Sequence, residues 1–351
     1  MKRPACGGPA GRGALLALAC ALTGAGCAAA DPVPAPATGT RDAAQWLRTI
    51  QAAALHQNFS GTIVYQHGED MHASHIVHSS EGGVVRERVL TLDGLPREFI
   101  RVGDETQCLY PRLQRVVIEQ RARPVFPNIA EPVSAEVSSH YDVRRVGRER
   151  VAGSDCEVVE LIARDELRYG YRLWVEPASG LLLRAQTLGA DGAAIEQVSF
   201  TDLHLGEAID PAQLRPTWQT AGWQVERRPS EPTQLQTQGW RITAPAGFHR
   251  LAEVVRRFLG HGAAPAKDGT PAPVVERSTL QAVYSDGLAT VSVFIDPSPG
   301  RHGPGEERQR RGSVTAVMRQ VDDATVTVVG EVPPATAQSI ADSVERIAPA
   351  H

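Results

Sequence analysis

Lysine is nearly missing from this 351-residue chain: apart from Lys2 there is only Lys267, so positive charge rests on arginine. The formal net charge is −4. Without a basic surplus the chain cannot neutralise a phosphate backbone, and nucleic acid drops out as a partner class. Arginine suits carboxylate and phosphate recognition, although so uniform a preference over lysine reads first as compositional bias. Cysteine is scarce as well. Of the five, Cys6, Cys20 and Cys27 lie at the extreme N-terminus, which leaves Cys108 and Cys156. In an oxidising compartment these two could pair or stay apart as buried thiols, and the sequence leaves both open because a bridge needs their Cα atoms close together.

Catalytic signatures are also wanting. There is no G-x-S-x-G elbow, no H-E-x-x-H, no S-x-x-K in a usable frame and no P-loop glycine spacing. His67, His72, His75 and His78 form the richest titratable cluster, but in an extended strand His72 and His78 face one side and His75 the other, so they do not converge as metal ligands must. Solvated strand histidines are the expectation. Asp165, Glu166 and Glu176 read as salt-bridge partners at turns. No cofactor is called for, and the reading is of a protein that is not an enzyme.

What is present begins with Lys2, Arg3 and Arg12, the apolar run "ALLALACAL" (Ala14 to Leu22) and small residues before Asp31. This is the pattern of a secretory signal over 1–30 with cleavage after Ala30, and it places the mature chain outside the cytoplasm. "GAGC" ending at Cys27 also resembles a lipidation box, but Gly24 stands where a larger aliphatic is usual. No later apolar run has bilayer-spanning length. Residues 31–41, rich in Pro, Ala and Thr, read as a flexible lead-in.

Asp42 and Gln45 have capping-box spacing and open a helix whose face is Trp46, Leu47, Ile50 and Ala54, stopped at Asn58. From Phe59 to Leu205 the apolar period becomes two, and Gly-containing turns at Leu92-Asp93-Gly94, Val102-Gly103-Asp104, Ala178-Ser179-Gly180 and Ala190-Asp191-Gly192 separate the strands. With no helical interlude except the irregular stretch near "RPVFPNIAEPVSAEVSSH", parallel βαβ units are excluded. The expected fold class is α+β: a large, strongly bent antiparallel sheet with a packed helix over 42–205, and a smaller α+β domain over 235–351. Between them, 206–234 carries Pro211, Pro216, Pro229 and Pro232 with Trp218 and Trp223, and reads as a connection partly docked by its tryptophans and able to hinge. A sheet bent around a helix leaves an apolar concavity, so Ile63, Tyr65, Phe99, Leu109 and Trp174 are candidates to line a lipid groove or simply to fill the core.

In the second domain, "YSDGLATVSVFI" (Tyr284 to Ile295) starts with an Asp-Gly turn and runs into an alternating strand. Tyr284, Asp286 and Phe294 on it are the candidate partner contacts. Long breaks at Gly260–Pro273 and Pro297–Gly312 read as loops, the second one mobile, with Glu306, Glu307, Arg308, Arg310 and Arg311 solvated. Pro333 and Pro334 open a terminal helix with Ala337, Ile340, Val344 and Ile347 on its apolar face.

The stretches "SSHYDVRRVGRERVAGSDCEVVELIARDELRYGYRLWVEPASGLLLRAQTL" (Ser138 to Leu188), "YSDGLATVSVFI" and "VTVVGEVPPATAQSIADSV", with "LHQNFSGTIVYQHG" and "LDGLPREFIRVGDE" nearer the N-terminus, resemble the RseB/MucB family of periplasmic regulators of the envelope-stress sigma factor. The resemblance runs in order through both domains. It implies a large domain similar to the LolA and LolB lipoprotein carriers, a half-open β-barrel with a helical plug, and a smaller partner-binding domain. It also implies binding to the periplasmic part of a single-pass anti-sigma factor, protection of that segment from proteolysis, release when lipid, lipopolysaccharide or mislocalised lipoprotein acyl chains are captured, and homo-oligomers. The alternative kept beside it is a periplasmic lipid or lipoprotein carrier.

Overall fold

The computed structural model describes residues 41–120, 126, 134–261, 274–297 and 306–348. The signal segment, Cys27, Ala30, most of the first long loop and half of the second lie outside the described residues. Helix α1 (Ala43–His56) opens with the expected capping box: Gln45 N–H donates to Asp42 Oδ1 at 2.8 Å and Asp42 N–H to Gln45 Oε1 at 2.9 Å. Two of the helix's orphan donors are thereby satisfied. Its inner face buries Trp46, Leu47 and Ile50.

Six strands follow as an antiparallel meander: β1 (Phe59–His67), β2 (Asp70–Ser79), β3 (Arg86–Thr91), β4 (Glu98–Val102), β5 (Glu105–Tyr110) and β6 (Arg115–Gln120). A short helix, α2 (Val137–His140), leads into β7 (Tyr141–Val151), β8 (Ser154–Ala163), β9 (Gly170–Val175), β10 (Leu182–Leu188) and β11 (Ala194–Leu205). Because β11 returns to pair with β1, the two meanders fuse into one sheet. β12 (Gln224–Arg228) adds to its far edge, parallel to β6, giving twelve strands in the order β12-β6-β5-β4-β3-β2-β1-β11-β10-β9-β8-β7 among the described residues. The edges β12 and β7 do not pair with each other, so the sheet stays open around α1. The core beneath α1 gathers Phe59, Ile63, Ile76, Leu173, Leu183 and Phe200.

The chain then passes through β13 (Ser230–Pro232), β14 (Trp240–Arg241), β15 (His249–His261), β16 (Val274–Ser285), β17 (Thr290–Asp296), β18 (Glu307–Arg311), β19 (Val314–Val321), β20 (Ala324–Glu331), α3 (Pro334–Asp342) and β21 (Glu345–Arg346). Seven of these form a second sheet, β13-β15-β16-β17-β20-β19-β18. One face packs under α3 through Val291, Val293, Ile295, Val326, Val328, Ala337 and Ile340.

Three expectations change. The supposed mobile loop Pro297–Gly312 contains β18, an exposed edge strand paired with β19, because its charged side chains cost nothing on a solvated edge that leaves the backbone free to pair. The last helix ends at Asp342: Val344 stays buried but Ile347 N–H donates to Gly239 O (2.9 Å), and β21 pairs with β14, so local strand pairing captures the tail. Finally, the connection 206–234 is docked by its tryptophans, as its composition suggests, but it also supplies a strand to each sheet, β12 and β13. Trp218 and Trp223 pack on Ile100, Leu109, Val116 and Ile118, while buried Glu98 accepts from Arg88 Nε (2.5 Å), Thr217 N–H (3.0 Å) and Thr217 Oγ1 (2.9 Å). The large sheet's last strand, β12, and the small sheet's first, β13, are separated by Pro229 alone.

Candidate functional site

Strand register sorts the groove candidates. Ile63 sits opposite Phe200 and Tyr65 opposite Val198, while Gly61, Ile76, Val89 and Phe99 follow one another across β1 to β4. With side chains alternating along each strand, Ile63, Tyr65 and Phe99 share the face that looks at α1. Leu109 does not, and Trp174 alternates to the other side of β9 while remaining in the same buried cluster as Ile63. Leu109 lies under Trp218 and Trp223 on the outer face, and Trp174, one residue on from inward Leu173, donates from Nε1 to Glu149 Oε2 at 2.9 Å with Arg184 over its ring. Ile63 is core; Tyr65 and Phe99 are half-buried.

Of the partner candidates on "YSDGLATVSVFI", Asp286 falls at the seam between the two sheets. The β16–β17 turn does not protrude into water; it inserts against the large module. Asp286 is buried and accepts from four donors: Tyr141 Oη (2.9 Å) and Arg168 Nη1 (3.1 Å) at Oδ2, and the N–H groups of Leu288 (3.0 Å) and Ala289 (2.8 Å) at Oδ1. Arg168, its guanidinium wholly buried, completes its fork on Ala246 O (2.9 Å) and Asp165 Oδ1 (2.9 Å) and lies over Phe248. Burial and the Asp286 carboxylate push the Tyr141 phenol well above its ordinary range, which keeps it a donor. Tyr284, expected as a contact residue, is instead core, its phenol pushed up to about 12 by burial. Phe294 is half-buried on the sheet face opposite α3.

A second contact joins the β18–β19 turn to β1 and β11. Glu196 accepts from Ser313 Oγ (2.7 Å), Ser313 N–H (3.2 Å) and Tyr65 Oη (3.0 Å). Burial and this carboxylate push the Tyr65 phenol up to about 12. His67 Nε2 accepts from Gly312 N–H (3.1 Å), so the ring's proton sits on Nδ1, facing Ile195 O at 3.1 Å. Gly312 has φ +62, a left-handed conformation that favours glycine, and a Cβ there would crowd Glu196 Oε2 at 2.5 Å.

The histidines of β1 and β2 therefore divide. His72 faces Asp93 at the surface (3.2 Å), as expected, but His67 belongs to the seam and His78 is buried, stacked on Phe59 at 4.8 Å with Nδ1–H donating to Gln57 O (2.9 Å). Cys108 and Cys156 are separate free thiols on β5 and β8, eight positions apart in the sheet order, so the bridge is not made. Burial pushes each thiol up to about 11. Sequence reading missed Tyr141, Arg168, Glu196 and His67 as seam residues because their partners lie 145, 118, 117 and 245 residues away, beyond any local motif.

An open twelve-stranded sheet holding a helix, latched through buried polar groups to a seven-stranded sheet, defines a two-module β protein. Residues 42–218 match the model of the MucB/RseB N-terminal domain and 234–345 that of the C-terminal domain. The chain belongs to the MucB/RseB family. It is 35% identical over 316 residues to the sigma factor AlgU regulatory protein MucB of Pseudomonas aeruginosa, covering 88% of this chain and 92% of that one. With the sigma-E factor regulatory protein RseB of Escherichia coli K12 it shares 25% over 333 residues, 92% and 95% of the two chains. The crystal structure of MucB in complex with MucA(peri) superposes with a TM-score of 0.64 at 34% identity, covering 88% of this chain and all of that one.

Proposed function

We propose that this protein regulates an envelope-stress sigma factor by binding the periplasmic region of a single-pass anti-sigma factor, shielding it from proteolysis and releasing it when the large module captures an acyl chain. The observation that carries this reading is the match through both modules to MucB, a protein crystallised with MucA(peri). The small module and the seam are the docking region in this proposal. Asp286 and Tyr284 act there from within, by holding the β16–β17 hairpin in place, and Phe294 offers a contact on the face opposite α3. The inner sheet face at Tyr65 and Phe99 is the lipid end in this proposal.

For lipid to release the partner, it must favour the partner-free arrangement, and the partner must then weaken lipid binding by the same factor. The test is a pair of titrations. A fluorescent peptide covering the periplasmic region of the organism's anti-sigma factor is titrated with protein, with and without lipopolysaccharide, and lipopolysaccharide is titrated with and without saturating peptide. Equal and opposite weakening is expected. Failure of the peptide to bind removes the regulator reading; unlinked affinities remove the lipid switch alone.

A further inference from the structure

The two turns of the small sheet that reach the large module are held by different chemistry. The β16–β17 turn is fixed by Arg168 and Tyr141, whose side chains are donors at any pH near neutral. The β18–β19 turn depends on a ring nitrogen that carries no proton, since His67 Nε2 accepts from Gly312 N–H (3.1 Å). The one proton of the neutral ring sits on Nδ1, which faces Ile195 O at 3.1 Å. A second proton would fill the accepting lone pair. Nε2–H would then point at Gly312 N–H, donor against donor, and both groups would lose their partner where Gly312 is buried.

The neighbouring charges do not rescue the contact. Around the ring stand Tyr65 of β1, Glu69 and Asp70 at the β1–β2 turn, Glu196 of β11, and Arg310 and Arg311 of β18, with Tyr169 before β9 and Glu331 of β20 further out. Asp70 is turned to Arg311 (3.4 Å), Arg310 Nε donates to Gly312 O (3.1 Å), and Glu196 accepts from Ser313 and Tyr65. A Cβ on Gly312 would lie 2.5 Å from Glu196 Oε2, 3.2 Å from Tyr65 Oη and 3.5 Å from His67 Cγ, so the turn fills the corner between these three side chains. An imidazolium therefore reaches the Glu196 carboxylate only if the turn withdraws. Repulsion from Gly312 N–H and attraction to Glu196 act in the same direction, both against the turn.

We infer that the β18–β19 turn is an acid-released latch: neutral His67 holds it against β1 and β11, and proton uptake at Nε2 expels it, uncovering Tyr65 and Glu196 while the Asp286 clasp keeps the modules joined. The sign follows from the hydrogen bond. The latched form excludes the second proton, so the latch is complete above the range in which histidine charges and weakens as the pH falls through it. At the α2 corner of the seam the effect is opposite, because His249 Nε2 lies 2.8 Å from Glu136 Oε2, a pair that a proton strengthens. Acid thus frees one end of the seam without parting the modules. The inference uses contacts within this chain alone and stands apart from the anti-sigma reading.

The test is amide hydrogen exchange of the purified protein on both sides of the histidine range, corrected for the intrinsic exchange rate at each pH, in the wild type and in His67→Gln. Glutamine can place Oε1 where Nε2 accepts, and it takes up no proton. Between pH 7.5 and 5.5 the wild type is expected to lose about tenfold of the protection at the Gly312 and Ser313 amides, and His67→Gln to keep it. The other histidines, His140 and His249 at the α2 corner included, are common to both proteins and cancel. Imidazole nitrogen NMR of the wild type gives a second readout: the proton of the neutral His67 ring should sit on Nδ1, and the Gly312 amide should titrate with the same midpoint as the ring. The inference is overturned if the wild-type turn is equally protected at both pH values, if His67→Gln loses as much, if the ring proton sits on Nε2, or if the two midpoints differ. Should His67→Gln fail to hold the turn at the higher pH, the wild-type midpoints decide.

Discussion

At the scale of single residues, His78 shows how a polar group is accommodated inside the large module. Its ring is stacked on Phe59 and its Nδ1–H is satisfied by Gln57 O, so the neutral form fits and a charge would not. Burial first, and Arg101 as well, hold its pKa below the ordinary 6.5, against the smaller opposite pull of the Gln57 hydrogen bond. The unfolded chain therefore takes up a proton more readily than the folded one. This contribution to stability is complete above pH 6.5 and is lost as pH falls from there through the depressed native value. Urea unfolding at pH 7.5 and 5.5 should show the wild type losing more stability than His78→Phe, with a slope difference of at most about 1.4 kcal/mol per pH unit per proton. His75, depressed in the same direction mainly by burial, is present in both proteins and cancels. Equal slopes would mean that His78 already accommodates its charge.

At the scale of elements, the turn between β9 and β10 and the turn between β10 and β11 make a controlled pair. Both use glycine at positive φ, Gly180 at +77 and Gly192 at +76, but a Cβ on Gly180 would meet Thr49 Cγ2 of α1 at 2.8 Å whereas one on Gly192 would meet nothing within 4 Å. Gly192→Ala should cost the left-handed backbone penalty alone, about 1–2 kcal/mol. Gly180→Ala should cost that and the displacement of α1, so its midpoint in thermal unfolding should fall further. Equal losses would mean that α1 yields freely at that turn. The sequence marks both turns through the same Gly signal; that one of them touches a helix is settled by packing, which no turn motif encodes.

At the scale of the whole molecule, the two sheets are joined covalently through Pro229 and non-covalently through Asp286 and Glu196. Removing one partner of a buried ion pair leaves the other charge uncompensated, typically at about 3–5 kcal/mol. Asp286→Ala leaves Arg168 with Asp165 as a remaining carboxylate partner, so it should cost toward the lower end of that range in urea unfolding and increase the radius of gyration in small-angle scattering as the seam opens. Arg168→Met combined with Asp286→Leu should recover part of the stability, because no lone charge is left. A variant Asp286→Ala with unchanged stability and dimensions would show that the clasp does not hold the modules together.

Much of this was legible in the chain itself. The capping box at Asp42 and Gln45, the two-residue period from Phe59 to Leu205, and the Gly turns follow from local backbone chemistry, and they determined a helix on an antiparallel sheet; alternation at Tyr284–Ile295 and the Pro333–Pro334 helix start marked a smaller α+β domain after it. Period alone does not state which side of a strand looks inward: Leu109 and Trp174 alternate as regularly as Ile63 and Phe99, yet pack on the other face because Trp218 and Glu149 wait there. Nor does it state which turn will be buried. "YSDG" reads as a surface turn, and it became the clasp because Tyr141 and Arg168, far away in sequence, arrive to satisfy its carboxylate. Local free energies write the elements into the sequence. The partners of a buried charge are chosen only when the whole chain has closed around it.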